Sequence, residues 1–268
     1  MKRSLAGFGV FSVVLICAGI YLVPATWLDS TLQRESGGVL SLGDPNGRVW
    51  DGSGVLQALL PGGEAMTIDR VGWTVASREL LFGRIRFSLV SLRTGKPIAD
   101  ATLGVSGLTV HSAQLELPAS LLGTLTPTLR EAAMSGQLVL KLRDFLLADK
   151  RAGGTAEIYW NDAASGLVPI SPLGNYQIEI NGNESGLACR IATLNEAALK
   201  LAGTCRQSAS QPFSIDATAE PAPRYRLELA PLLRVIGKEI HPGIYQLQVD
   251  PSIGVDPGTR PSRQGSPR

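Results

Sequence analysis

The sequence is poor in the residues from which metal sites are usually built. Only three cysteines and two histidines occur among its 268 residues. Structural zinc sites typically need four Cys or His ligands at short spacings. His111 and His241 are the only histidines, and no Cys-x-x-Cys pair is present. We therefore predict no metal site.

The same scarcity leaves few groups for acid–base chemistry. His111 lies in an alternating stretch that predicts the exposed face of a strand, and His241 precedes Pro242-Gly243 in a predicted turn. Residues 104–108 begin like the Gly-x-Ser-x-Gly elbow of hydrolases, but Leu108 stands where the closing glycine is required. No pattern supplies a nucleophile, a base and an orienting group together. We predict that the chain is not an enzyme.

An excess of one charge is also lacking. Twenty-five Lys and Arg residues stand against 23 Asp and Glu residues, and the net charge is +2. The two signs are interleaved, with no basic cluster before the last residues. Nucleic-acid-binding proteins concentrate Lys and Arg on one face or stripe. The pattern therefore argues against a nucleic-acid partner.

Long apolar runs are absent with one exception, Leu5–Val23, which follows Lys2 and Arg3. As a helix, these roughly 19 residues would be about 28 Å long, close to the hydrocarbon thickness of a bilayer. The positive-inside rule places residues 1–4 in the cytoplasm and everything from Pro24 onward across the membrane. We predict an uncleaved, single-pass transmembrane anchor at residues 5–23.

Two other interpretations of this segment stay open. A cleaved signal peptide usually has a shorter apolar core and a small-x-small site, whereas this run is followed by Pro24 and Trp27. Lipidation at Cys17 would need a small residue before it, and Ile16 is large and β-branched.

The rest of the chain predicts a mainly β body. Apolar and polar residues alternate in 84–90, 138–142, 176–180 and 245–249, as in strands with one buried face. Clusters of Gly, Asn and Pro between such segments favour tight turns. Leu117–Leu129 and Leu229–Ile236 have helical spacing instead. We expect an elongated, curved antiparallel β-sheet with these two short helices covering it.

Short matches suggest an internal duplication. Residues 114–122 resemble 226–233, residues 98–102 resemble 215–218, and residues 49–51 resemble 159–161. Such matches favour two related halves that share a seam. We place the halves at residues 24–130 and 131–250. The Pro-, Gly- and Ser-rich residues 251–268 predict a disordered tail.

Two cysteines, Cys189 and Cys205, lie outside the predicted anchor. The predicted topology places them in an oxidising compartment, where a disulfide is the natural interpretation. On the chain-entropy model, closing this loop would stabilise the fold by about 3 kcal/mol. Two unpaired cysteines buried in strands are the alternative.

One segment, Gly47–Gly54, has a distinctive local pattern. It predicts a short strand that ends in a turn, in which Trp50 covers apolar neighbours while Asp51 and Gly52 bend the chain. Trp73 is spaced to pair with Trp50 across a hairpin. The segment is either a structural corner or a binding surface.

Several motifs occur in the order seen in one bacterial family. After the anchor and the segment Gly47–Gly54 come residues 72–75, 117–118, 134–138, 159–160 and 172–176. With these motifs the chain resembles protein N of the type II (general) secretion pathway, from the anchor to about Glu220. The cysteine pair is also reminiscent of that family. Trp160 and Tyr176 thereby join Trp50, Asp51, Gly52 and Trp73 as candidate partner-contact or corner residues.

The resemblance implies a non-enzymatic accessory subunit of the bacterial inner membrane, without a cofactor. Its periplasmic body would bind other secretion subunits of the inner membrane and periplasm, and would help to export folded proteins across the outer membrane. Sheet edges and tryptophan corners are the expected contact surfaces. The alternative is a periplasmic lipid-transport groove of the AsmA type, with lipid as the partner. A groove needs a long open apolar face, whereas in the subunit interpretation the two predicted helices close that face.

Overall fold

The computed structural model describes residues 23–60, 63–105, 107–124, 126–148, 151–183, 186–208 and 211–249. In these ranges fourteen strands form one sheet, and all neighbouring strands are antiparallel. The strands are β1 (Leu40–Gly47), β2 (Asp51–Leu59), β3 (Ala65–Ala76), β4 (Ile85–Ser91), β5 (Pro97–Gly104), β6 (Gly107–Pro118), β7 (Met134–Ala148), β8 (Arg151–Ser165), β9 (Gly174–Asn183), β10 (Gly186–Leu194), β11 (Leu199–Ser208), β12 (Gln211–Pro221), β13 (Lys238–His241) and β14 (Ile244–Val249).

The sheet is a meander over most of its width. Strands β1 to β12 lie side by side in chain order, and the last positions are β12, β14 and β13. Short turns join most antiparallel neighbours directly, as the Gly-rich clusters between strands predict. The turn between β4 and β5, for example, uses Gly95 at φ +71°, which glycine adopts without strain. The prediction of a mainly antiparallel β fold is confirmed, and the four alternating segments lie in β4, β7, β9 and β14.

Six helical segments accompany the sheet in the described ranges. They are α1 (Thr26–Glu35), α2 (Pro127–Glu131) and α3 (Arg226–Ile236), with 3₁₀ helices at Ser77–Phe82, Ala119–Thr124 and Pro223–Tyr225.

Of the two predicted helices, the structure corrects the first and confirms the second. The segment Leu117–Leu129 is not one helix: it begins in β6, continues as a 3₁₀ helix and ends in α2. A new helix starts there because Pro127 occupies its first turn and the Thr126 hydroxyl accepts a hydrogen bond from the Leu129 N–H. The second predicted helix is present as α3, which begins earlier, at Arg226.

The two outer strands differ in how their free edges are covered. Helix α1 packs on β1, and Asp29 Oδ1 accepts a hydrogen bond from the Leu42 backbone N–H at 2.8 Å. Ser36 Oγ accepts another from the Leu40 N–H at 3.0 Å. These side chains bind donors that an edge strand would otherwise present to another chain. At the opposite edge, all four residues of β13 are exposed.

Three predictions concern the ends and the division of the chain. Between residues 23 and 249, within the described ranges, no helix has the length and apolar character needed to cross a bilayer. Apart from Val23, the predicted anchor lies outside these ranges, and so does the predicted tail at residues 251–268. The boundary between the predicted halves falls between β6 and β7, which pair along their length, and the two halves remain a prediction.

Candidate functional site

One face of the sheet is apolar across most of its width. Opposite residues in neighbouring strands point to the same face, so the register defines rows of side chains that cross the sheet. One row spans eleven strands, or about 48 Å at about 4.8 Å per strand, without a charged residue. In order it consists of Gly52, Trp73, Leu89, Ala99, Ala113, Leu142, Ala156, Ile180, Cys189, Cys205 and Ile215.

A second apolar row runs beside the first through the middle of the sheet. Its central members are Leu140, Ile158, Ile178 and Ile191, which are direct cross-strand neighbours on β7 to β10. All four side chains are only partly buried. Large aliphatic side chains in the centre of a sheet are usually buried by a second layer, so these four mark an incompletely covered surface.

Helices cover the two sides of the apolar face. At one side, Leu28 and Leu32 of α1 join the cluster around Trp73. At the other, Leu229 and Leu233 of α3 are fully buried in a cluster that includes Leu199, Ala219 and Tyr245 of the sheet.

The middle of the apolar face is less covered by helices than its two sides. The main helix contacts in the described structure are made to β1, β4, β7 and β12 to β14, and none as extensive is made to β8, β9 or β10. The expected closure by two helices is therefore only partial, and the face stays uncovered by helix around Ile158 and Ile178.

Trp73 and Gly52 form a buried corner at the start of β2. The Trp73 indole Nε1 donates a hydrogen bond to the Arg48 carbonyl oxygen at 3.1 Å, and only 7% of the residue is exposed. Gly52 lies opposite Trp73, and a Cβ there would lie 2.5 Å from Trp73 Cζ2. Only glycine leaves room for the indole, so these two residues shape the corner from inside.

Trp50 and Asp51 lie on the outside of the same corner. Trp50 is half-buried, and its carbonyl oxygen accepts a hydrogen bond from the Val75 N–H at 2.7 Å. Asp51 is exposed, and its carbonyl oxygen accepts one from the Arg48 N–H at 2.8 Å. The cross-strand partner of Trp73 is Gly52, so the expected pairing of Trp73 with Trp50 is wrong.

Trp160 and Tyr176 form a second aromatic corner on β8 and β9. They are cross-strand neighbours with ring centroids 6.0 Å apart. Trp160 Nε1 donates to the Ser135 carbonyl oxygen at 2.9 Å, and the Tyr176 hydroxyl donates to the Leu199 carbonyl oxygen at 2.8 Å. Tyr176 is 3% exposed, and this burial raises the pKa of its phenol. The structure thus buries Trp73 and Tyr176, which removes both from the surface available to a partner.

Cys189 and Cys205 are joined by a disulfide that links β10 to β11. They are directly opposite in the register, in the apolar row between Ile180 and Ile215. The predicted pairing is confirmed.

The other face of the sheet carries polar side chains that pair with one another. Arg86 and Asp100 form an ion pair at 3.1 Å, and the hydrogen bonds from Arg86 lower the pKa of the Asp100 carboxyl. The Tyr159 hydroxyl donates to Glu157 Oε2 at 3.0 Å, and this hydrogen bond raises the pKa of Tyr159. Lys141 Nζ lies 4.7 Å from the centre of the Tyr159 ring. These are interactions between neighbouring strands on a solvated surface.

His111 lies beside the Arg86–Asp100 pair. His111 is exposed on β6, as its alternating context predicts, with Nε2 3.0 Å from Thr102 Oγ1. Within the described ranges, no three His, Cys, Asp or Glu residues come close enough together to hold a metal ion.

The outer surface of α3 is an exposed apolar site that the sequence pattern did not reveal. Leu227 and Val235 are 92% and 83% exposed, whereas Leu229 and Leu233 of the same helix are fully buried. The helix was predicted from Leu229, which left Leu227 outside it. Apolar residues on both sides of the helix were the feature of the sequence that could have indicated this exposed apolar site.

A known family model covers most of the sheet. The family model described as type II secretion system (T2SS), protein N, matches residues 39–248, from just before β1 into β14. Searches of curated proteins and of solved structures give no match. Because the family model spans well over half of the sequence, this chain belongs to the protein N family of the type II secretion system.

Proposed function

We propose that this chain is a non-enzymatic, single-pass inner-membrane subunit of the type II secretion system, with its sheet body in the periplasm. There it binds other subunits of the system and takes part in the export of folded proteins across the outer membrane. The family match over residues 39–248 is the observation on which this proposal rests.

Two features of the chain support the location. The uncharged run at residues 5–23 follows Lys2 and Arg3, which favours a cytoplasmic N-terminus. The disulfide between Cys189 and Cys205 is of a kind that persists in oxidising compartments such as the periplasm.

The hydrogen bonds of the titratable groups support a role without catalysis. Tyr176 and Asp100 have displaced pKa values, but Tyr176 is held by a backbone carbonyl in the core and Asp100 by Arg86 on the opposite face. Burial explains the pKa shift of Tyr176 and the hydrogen bonds from Arg86 explain that of Asp100, so both shifts have structural causes within the sheet.

The surface of α3 is the best-supported place for a subunit contact. Exposed apolar side chains that the fold does not need often mark protein interfaces, and Leu227 and Val235 are such residues. Trp73 and Tyr176 are buried and cannot play this role. Trp50 and Asp51 remain candidates for a smaller contact at the β1–β2 turn.

Site-specific photo-crosslinking in living cells tests this contact. A photoreactive amino acid at Leu227 or Val235 is expected to capture other secretion subunits, identified by mass spectrometry. Leu92, an exposed leucine in the β4–β5 turn, is the matched control position. Capture at Leu92 equal to that at Leu227 and Val235 would overturn the assignment of the α3 surface.

The anchor has its own test. Intact-mass measurement of the membrane-extracted protein is expected to retain residues 1–23. A mature protein that starts after Ala25 would instead establish cleavage and refute the single-pass topology.

A second candidate function is suggested by the uncovered middle of the apolar face. Partly exposed Leu140, Ile158, Ile178 and Ile191 lie side by side in an apolar row, which would suit the acyl chains of a lipid. This observation favours a lipid-carrying groove in addition to, or in place of, a purely adaptor role.

Two neighbouring residues of β8 provide a test of the lipid-groove function. Photoreactive probes at Ile158 and Tyr159 would lie on opposite faces of the same strand. Phospholipid adducts at position 158 but not at 159 would support the groove, and equal adduct yields at the two positions would rule it out.

A further inference from the structure

We propose that one rim of the sheet lies in the lipid headgroup layer, where the apolar tips of the β3–β4 and β5–β6 hairpins contact the membrane beside the anchor. This inference rests on the proposed single-pass anchor and adds a second, direct contact between the body and the bilayer.

The end of the predicted anchor is bound to the first hairpin. The Val49 N–H donates a hydrogen bond to the Val23 carbonyl oxygen at 3.1 Å, and the Ala25 N–H donates to the Gly47 carbonyl oxygen at 3.2 Å. Val23 is also the last residue of the predicted anchor, so no linker separates the anchor from the sheet. If residues 5–23 span the bilayer, the β1–β2 turn is held at the membrane surface.

The topology places other turns at the same end of the sheet. In an antiparallel meander every second turn returns to the same rim, so the β1–β2, β3–β4, β5–β6 and β7–β8 turns share one. We call this end the anchor rim. Measured across the strands, at about 4.8 Å per strand, the β3–β4 tip lies roughly 10 Å and the β5–β6 tip roughly 19 Å from the β1–β2 turn.

Both of these tips present apolar side chains to solvent. Phe82, at the end of the 3₁₀ helix between β3 and β4, is 80% exposed, and Val105, after β5, is fully exposed. Leu80 and Leu103, two residues before them in the chain, are also exposed. Phe82 and Val105 are too exposed to contribute much to packing, and exposed apolar patches mark interaction or membrane sites.

The charges next to Phe82 are compatible with a headgroup contact. Arg84 is exposed two residues after Phe82, and a long cationic side chain beside an inserted aromatic residue suits the phosphate layer. Glu79 lies in the same segment and is half-buried. The contact therefore depends chiefly on the apolar side chains.

Because the sheet is twisted, we expect the depth of membrane contact to decrease from one hairpin to the next. Each strand is rotated by roughly 20° relative to its neighbour, so hairpins farther from the anchor tilt progressively out of the membrane plane. We expect the deepest contact at Phe82, a weaker one at Val105, and the weakest at Leu147 near the β7–β8 turn.

Lipid crosslinking from the full-length protein in phosphatidylethanolamine–phosphatidylglycerol nanodiscs tests the proposal. The photoreactive amino acid benzoylphenylalanine is placed at position 82, 105 or 147. Position 92 is the control, because Leu92 is an exposed leucine at the opposite end of β4 from Phe82. β4 alone separates the two positions by about 23 Å, more than the headgroup layer can cover. Position 11, inside the anchor, reports on membrane insertion itself.

The expected result is a several-fold higher yield of phospholipid adducts, measured by intact mass, at position 82 than at position 92, with 105 and 147 following in that order. Adducts at position 11 together with equal yields at 82 and 92 would refute the rim contact but leave the anchor intact. Absence of adducts at position 11 would refute the anchor, and the rim contact with it.

Discussion

The indole nitrogen of Trp73 donates a hydrogen bond to the backbone carbonyl oxygen of Arg48, 3.1 Å away and 25 residues earlier in the chain. Trp160 makes the same kind of bond to Ser135, also 25 residues earlier. In structural role, therefore, the counterpart of Trp160 is Trp73, whereas the sequence match pairs Trp160 with Trp50. The indole of Trp73 reaches Arg48 by lying against Gly52, which couples one buried side chain to the shape of the first hairpin.

Replacement of Trp73 by phenylalanine removes this hydrogen bond but keeps most of the packing. We expect Trp73→Phe to lower the free energy of unfolding by about 1 kcal/mol, and Trp73→Ala by about 3–5 kcal/mol. Urea unfolding of the detergent-solubilised protein, followed by circular dichroism, measures both. Trp27→Phe is the control, since Trp27 is exposed on α1 and should change stability by less than about 0.5 kcal/mol. Equal stability of Trp73→Phe and the wild type would contradict the assigned role.

Gly52→Ala is expected to destabilise the same corner by overpacking. The new Cβ would lie 2.4 Å from the Asn46 carbonyl oxygen and 2.5 Å from Trp73 Cζ2, so the backbone or the indole must move. We expect a loss of about 1–3 kcal/mol in the same unfolding measurement. Gly104→Ala in β5 is the matched control, because its Cβ would meet no atom closer than 3.8 Å. The prediction fails if the two variants are equally stable.

Tyr176→Phe should reveal a pH-dependent contribution to stability. Near neutral pH the variant is expected to lose about 1 kcal/mol with the hydrogen bond to Leu199. Burial raises the pKa of Tyr176 in the folded protein, so the folded state holds this proton more tightly than the unfolded state. The stabilisation is thus complete below about pH 10, the usual tyrosine pKa, and is lost as the pH rises toward the folded pKa. Unfolding at pH 8 and at pH 11 should show the stability gap between the two proteins narrowing, and a constant gap would refute this account.

Loss of the disulfide should cost more than either aromatic hydrogen bond. The double variant Cys189→Ala with Cys205→Ala is expected to be less stable by about 3 kcal/mol on the chain-entropy model. Reduction of the wild type should produce a similar loss. As an independent readout, thiol labelling of denatured, unreduced protein should modify only Cys17. Labelling of a second cysteine would show that the bond is absent from the isolated protein.

Features of the fold that depend on a few neighbouring residues could be predicted from the sequence, whereas features that depend on strand register could not. The alternation at residues 84–90 and 176–180 predicted β4 and β9 because period-two burial is visible within a few residues. The pairing of Trp73 was predicted incorrectly because it depends on register. A bulge after Leu56 shifts the β2–β3 alignment by one residue, which moves the partner of Trp73 from Asp51 to Gly52; neither register places it opposite Trp50.

The helix predictions were likewise limited by contacts between distant segments. Apolar spacing at Leu117–Leu129 suits a helix locally, yet the first residues extend β6 because β7 pairs with them as far as Pro118. Leu229 and Leu233 were within a correctly predicted helix, but exposure of Leu227 and Val235 depends on which side of α3 the sheet occupies.

By itself, the sequence determined that this chain forms antiparallel strands with one apolar face, because alternation and turn residues act over short distances. Its motifs also determined the family. Only the tertiary structure decided that apolar residues align into a row across eleven strands, that Trp73 and Tyr176 are buried, and that Val23, Phe82 and Val105 share one rim. Those relationships depend on strand register and order, which pairings between distant segments establish together and no short segment encodes alone.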